Sequence, residues 1–223
     1  MIPKYVSIIG LVAGLFGCEQ PKEEPEGAPA PPIPASERPA VVFLGTSLTA
    51  GLGLEPEQAY PALIQHKIDS AGLRYRVVNA GVSGETSAGA RRRIDWLLRE
   101  PVAVLVVETG ANDGLRGLPP DSLRANIQAV LDRAKSLRPI PELVLVGMRV
   151  PPNYGRPYSQ RFQAIYPELA SQNGAALVPF LLDGVGGVAT LNQSDGIHPT
   201  VEGQRIMAET VWKVLEPVLR RGR

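Results

Sequence analysis

From residue 41 onward the chain alternates short apolar runs with stretches in which apolar residues recur at helical spacing. The runs predict strands over 41–45, 75–79, 102–109, 143–148 and 176–180. In Val102-Ala103-Val104-Leu105-Val106-Val107 successive positions are all apolar, so both faces of that strand need cover. This is the habit of parallel sheets sandwiched between helices. Between the runs, Tyr60, Leu63, Ile64, Lys67 and Ile68 mark one helical stripe, and Leu123, Ile127, Val130, Leu131 and Ala134 another. Asp121-Ser122 behind Pro119-Pro120 predicts a side-chain-capped start for the second stripe, and a last helix is expected over 201–219. Strands alternating with helices predict an α/β fold, a three-layer α/β/α sandwich around a five-stranded, mostly parallel sheet. In such sheets functional groups collect beyond the carboxyl ends of the strands. Ser47 follows the first strand, Gly84 the second and Asn112 the third, and His198 must reach the same edge from the loop before the last helix.

Ahead of the first strand the pattern is different. A basic start ending at Lys4 leads into the apolar stretch 6–16 and then Gly17-Cys18, the form of a secretory signal peptide. That stretch is shorter than the roughly 20 residues a membrane-spanning helix needs. Residues 21–39 are dense in proline, glutamate and alanine and predict a disordered, extended tether. The expected organisation is therefore a signal segment over 1–17, a tether over 18–39 and a folded domain over 40–223.

With 223 residues, 44% of them apolar, the chain can bury one substantial core. Lys+Arg 23 against Asp+Glu 22 gives a net charge of +1, so no global field favours nucleic acid. The run Arg91-Arg92-Arg93 lies in a helical pattern and reads as a solvated face. A single cysteine rules out an intrachain disulfide, and two histidines are too few for the usual structural zinc set. No metal and no cofactor is implied.

The chemistry gathers around one of those histidines. His198 closes Asp195-Gly196-Ile197-His198-Pro199, with a carboxylate three residues ahead that suits a base and its orienter. The strand over 41–45 ends in Gly45-Thr46-Ser47-Leu48, a turn that can expose a serine. A serine hydroxyl becomes a nucleophile when a positioned imidazole removes its proton and a carboxylate steadies that imidazole. These three residues therefore read as a serine hydrolase system. His66, within a helix pattern and without a nearby acid in sequence, reads as a helix-surface residue.

Four blocks stand in order: Gly45-Thr46-Ser47-Leu48, Asn79-Ala80-Gly81-Val82-Ser83-Gly84-Glu85-Thr86-Ser87, Gly110-Ala111-Asn112-Asp113-Gly114, and Asp195 through Pro199. Together they resemble the GDSL or SGNH hydrolases, above all the bacterial periplasmic thioesterase, arylesterase and lysophospholipase type. The resemblance extends to Leu115-Arg116-Gly117, Pro152-Asn153-Tyr154-Gly155-Arg156 and Ala164-Ile165-Tyr166-Pro167, over roughly residues 41 to 218. It implies a flavodoxin-like sheet and a covalent acyl-enzyme on Ser47. It also implies His198 as base, Asp195 as orienter, and an oxyanion hole made by the backbone N–H groups of Ser47 and Gly84 and the side-chain amide of Asn112. By the same resemblance the loop 149–158, with Val150, Tyr154 and Tyr158, is expected beside the substrate. Thr46 departs from the pattern, which has aspartate there; threonine keeps a hydroxyl for the turn. Leu15-Phe16-Gly17-Cys18 resembles the lipobox of bacterial lipoproteins, which implies a lipid on Cys18 and a periplasmic or cell-surface enzyme held at the membrane, the outer membrane by the absence of aspartate after Cys18. Small acyl esters and lysolipids are then the expected substrates, and export argues against cytoplasmic acyl-CoA. A cell-surface carbohydrate O-acetylesterase and a non-catalytic tethered binding lipoprotein remain as alternatives.

Overall fold

The computed structural model describes residues 34–222. The expected signal segment, the lipid attachment at Cys18 and most of the tether lie outside the described residues. Strand β1 (Ala40–Gly45) runs fully buried into the four-residue helix α1 (Ser47–Ala50). After a 3-10 turn come helix α2 (Tyr60–Ser70), strand β2 (Arg76–Gly81), helix α3 (Ser87–Leu97) and strand β3 (Val102–Glu108). The short α4 (Ala111–Leu115), α5 (Pro120–Lys135), β4 (Glu142–Val146), α6 (Arg156–Asn173), β5 (Ala176–Val178) and α7 (Val201–Arg221) complete the order.

All five expected strands form, and all pair in parallel in the order β2-β1-β3-β4-β5. Parallel neighbours cannot be joined by tight turns, so every connection carries a helix across a face of the sheet. α3 packs on α5 and α5 on α6, while α2 pairs with α7. Apolar residues at successive positions of β1 and β3 are buried, among them Val41, Phe43, Leu44, Leu105, Val106 and Val107, all at 0% exposure. The chain goes from β1 outward to β2 and then back past β1 to β3, so the strand order reverses between β1 and β3. Loops leaving two adjacent strand ends in opposite directions open a crevice at that point.

Two expectations about local structure change. α5 begins at Pro120 with no side-chain cap; proline at the first helical position presets φ and lacks only an N–H that had no partner there. Asp121 instead pairs with Arg161 of α6 at 2.8 Å. The loop expected over 149–158 stops at Gly155, because Pro157 sits in the first turn of α6 and favours helix there. Tyr158 is therefore helical.

Candidate active site

Ser47 is the first residue of α1. Its predecessor Thr46 is extended and caps the helix, its hydroxyl accepting from the Leu48 N–H at 3.4 Å. α7 begins with a similar device, Thr200 Oγ1 accepting from the Gly203 N–H. The loop ahead of it is pinned by backbone bonds from Gln193 N to His198 O at 2.7 Å and from Thr200 N to Leu191 O at 2.9 Å. These two anchors set an imidazole over a hydroxyl 151 residues away. His198 Nε2 lies 2.9 Å from Ser47 Oγ, and His198 Nδ1 lies 2.6 Å from Asp195 Oδ2. The other Asp195 oxygen accepts from the N–H groups of Ile197 and His198 at 2.9 and 3.0 Å. The hydrogen bond from the imidazole, helped by those two backbone donors, holds the Asp195 carboxyl far below the usual carboxylate range. An ionised, oriented carboxylate is what fixes an imidazole with its free nitrogen toward the serine.

Three donors belong to the same edge. Gly84 has φ +77°, a left-handed conformation that glycine adopts without a Cβ penalty. Neither the Ser47 nor the Gly84 N–H donates to an acceptor among the described residues. Asn112, in α4 just beyond β3, spends one amide hydrogen on Glu85 O at 3.0 Å and keeps a second. The Gly84–Glu85 loop is tied down further. Arg93 of α3 grips both Glu85 carboxylate oxygens, at 2.8 and 2.9 Å, and also donates to Gly45 O at 3.1 Å. One guanidinium thus binds the loop of Gly84 to the end of β1. Arg116 Nη2 donates to Gly84 O at 2.9 Å. Asp113 receives the backbone N–H and hydroxyl of Ser87 at 2.8 and 2.5 Å and so fixes the start of α3.

A cavity of about 560 Å³ opens beside Ser47, within the roughly 300–1,000 Å³ typical of small-molecule sites. Ser47, Asn112 and His198 line it, with apolar walls from Leu48, Leu115, Met148, Val150, Phe180 and Ile197. Of the three side chains expected on the substrate side, Val150 lines the cavity and Tyr154 and Tyr158 do not. Their hydroxyls donate to Leu115 O and Leu118 O at 2.7 and 2.8 Å, and their rings stack at 5.7 Å. They brace the connection after α4. His66 is exposed on α2, as the sequence pattern suggests. Among the described residues no three His, Cys, Asp or Glu side chains gather as a metal site.

Beneath the serine lies a residue that sequence reading passed over. Glu108, the last residue of β3, is 0% exposed and meets no cation among the described residues. Its carboxyl accepts from Thr46 N at 2.7 Å, from Thr46 Oγ1 at 2.9 and 3.1 Å, and from Thr49 Oγ1 at 2.8 Å. Burial pushes its pKa up, against the lowering effect of the Thr46 and Thr49 hydrogen bonds. Tyr60 Oη, 2.8 Å from Thr49 Oγ1, is pushed far above its ordinary range by burial and by the nearby Glu108 charge. The signal for Glu108 was present in the sequence, as the one ionisable residue closing an otherwise apolar run.

Comparison with known proteins accords with this geometry. Residues 43–206 match the model of the GDSL-like lipase/acylhydrolase family. Esterase TesA of Pseudomonas aeruginosa is 43% identical over 180 residues, 80% of this chain and 89% of that protein. Thioesterase 1/protease 1/lysophospholipase L1 of Escherichia coli strain K12 is 38% identical, covering 80% and 84% respectively. A crystal structure of TesA superposes with a TM-score of 0.76 at 42% identity, over 80% of this chain and 98% of that one. A buried serine at a strand end, an imidazole at 2.9 Å and this breadth of likeness lead to one conclusion: the chain belongs to the GDSL-like lipase/acylhydrolase family, and it is an ester hydrolase.

Proposed function

We propose that the chain hydrolyses acyl esters through a covalent intermediate on Ser47, with lysolipids and aryl or other small acyl esters as substrates. The observation that carries the reading is the relay from Asp195 through His198 to Ser47 Oγ at the wall of an apolar cavity. As Ser47 Oγ bonds to the substrate carbonyl carbon, its proton passes to His198 Nε2. The carbonyl electrons move onto oxygen, where the N–H groups of Ser47 and Gly84 and the free Asn112 amide hydrogen receive the negative charge. The bond to the leaving oxygen breaks as Nε2 returns its proton to that oxygen. Water then repeats the sequence on the acyl-enzyme and frees the acid. Asp195 keeps its charge throughout, stabilising the imidazolium without taking its proton.

The apolar walls suit a hydrocarbon chain better than an acetylated sugar. Export by the amino-terminal segment and a lipid on Cys18 belong to the same proposal: the tether would hold the domain beside membrane lipids, away from acyl-CoA. Incubating the domain from residue 36 with nitrophenyl acetate, octanoate and palmitate, beside Ser47→Ala, tests the chemistry. Turnover of the longer esters that vanishes in Ser47→Ala is expected; turnover persisting in that variant would overturn the role of Ser47. Radiolabelled palmitate should enter the full chain and be lost in Cys18→Ala, and unaltered labelling would remove the anchor.

A further inference from the structure

The cavity beside Ser47 has no carboxylate among its lining residues, and Arg149 is the one permanently charged side chain there. Its position follows from the ends of β4 and β5. Gly147, just past β4, donates to Val178 O at 2.8 Å and accepts from Leu181 N at 3.0 Å, so two backbone bonds bracket Phe180. A Cβ at Gly147 would run into the Pro179 carbonyl, so only glycine lets the two strands' exits lie this close. Arg149 and Phe180 are thereby set side by side, the guanidinium carbon 4.5 Å from the ring centroid.

Stacking engages the face of a guanidinium and leaves its N–H edges free for a forked acceptor. Arg149 is exposed and takes part in none of the ion pairs among the described residues. Arg93, by contrast, has its edges committed to Glu85. An arginine held in place by an aromatic ring, beside an apolar cavity and without an acidic partner, is built to take an anion from the ligand in that cavity.

We propose that Arg149 forms an anion subsite at the mouth of the cavity and recognises a phosphate carried by the alcohol portion of the substrate, as in a lysophospholipid. This rests on the reading of Ser47 as nucleophile. With the acyl chain against the apolar walls and the carbonyl at Ser47, the phosphate stays with the leaving alcohol, and the bonds made and broken at the carbonyl are unchanged.

The test compares soluble hexanoyl esters of glycerol 3-phosphate and of glycerol on the full chain and on Arg149→Met, which keeps an apolar side chain against Phe180. The wild type should prefer the phosphorylated ester by about tenfold or more in kcat/KM, a preference that shrinks as salt rises. Arg149→Met should lose that preference while hydrolysing the neutral ester within about twofold of wild type, since only a charge-assisted contact is gone. Glycerol 3-phosphate alone should inhibit the wild type competitively and Arg149→Met more weakly. Equal losses on both esters, or an unchanged ratio, would overturn the subsite. Nitrophenyl butyrate with wild type and Ser47→Ala reads the ester chemistry separately, so failure of the subsite is distinct from failure of the nucleophile.

Discussion

Thr46 and Glu108 carry the largest tension at the level of single residues. A buried carboxyl without a cation is costly to ionise, and here three hydrogen-bond donors offset part of that cost. Its pKa lies above the ordinary 4.5, so between 4.5 and the raised value the folded chain retains a proton that the unfolded chain releases. Stability therefore falls as pH rises through that window. Glu108→Gln removes the titration, and its melting temperature should decline less than that of the wild type as pH rises above 4.5. Parallel declines would mean that Glu108 is not the titrating group. The same pair explains what a family-like aspartate would do in place of Thr46. Its carboxyl would face Glu108 across the distance now spanned by the threonine hydroxyl, and two carboxyls that close share a proton at neutral pH. Thr46→Asp should keep ester hydrolysis within about tenfold, or roughly 1.4 kcal/mol of barrier, while making the alkaline loss of stability steeper. Asp195 and His198 were legible because their partnership is written within four residues. The partners of Glu108 were not, because they lie 59 and 62 residues away and only sheet pairing brings them to it.

At the scale of elements, α3 turns a charge run into a brace. The sequence offers three consecutive arginines as a solvated face, and Arg91 and Arg92 are exposed. Successive helical residues are separated by about 100°, so three in a row cannot all point to water when Ala90, Ile94 and Leu97 face the core. Arg93 falls on the flank of that buried stripe and reaches Glu85 and Gly45 O, with only 19% of its side chain exposed. A bidentate, half-shielded arginine–carboxylate pair is stronger and more exacting in geometry than a surface pair. Its partners are the loop carrying Gly84 and the strand end leading to Ser47, so it fixes the spacing of two of the donors proposed for the oxyanion hole. Arg93→Met should lower kcat by about ten- to a hundredfold, somewhat less than outright loss of a donor, and leave KM within about twofold. Steady-state kinetics on nitrophenyl butyrate distinguish this from a packing defect, which would emerge as lower melting temperature with kcat preserved per folded molecule.

Over the whole molecule, the site is a product of closure. Ser47 follows the first strand and His198 precedes the last helix, and the sheet reversal between β1 and β3 leaves a crevice that both loops reach. The alternation of apolar runs and helical stripes made the layers and the five strands legible. The strand order was supplied by the resemblance, because periodicity records which faces are buried and says little about which neighbour buries them. Gln204 of α7 shows how the ends are locked. It is 1% exposed, accepts from Tyr60 N at 2.8 Å and donates to Leu48 O at 3.3 Å, joining the last helix to both α2 and α1, the helix that begins at Ser47. Gln204→Leu leaves a buried N–H and a buried carbonyl without partners, at a cost of about 1–3 kcal/mol for each group left unsatisfied. The melting temperature should drop by several degrees, given about 2–4 °C per kcal/mol for a domain of this size. Because serine and histidine meet only when the first and last layers have closed, no partly unfolded form can retain the relay. Esterase activity and far-ultraviolet circular dichroism should therefore be lost at the same urea concentration in the wild type and at the same lower concentration in Gln204→Leu. Activity that disappears well before the helical signal would mean that α7 and its loop detach on their own, and that the active site is less stable than the sheet beneath it.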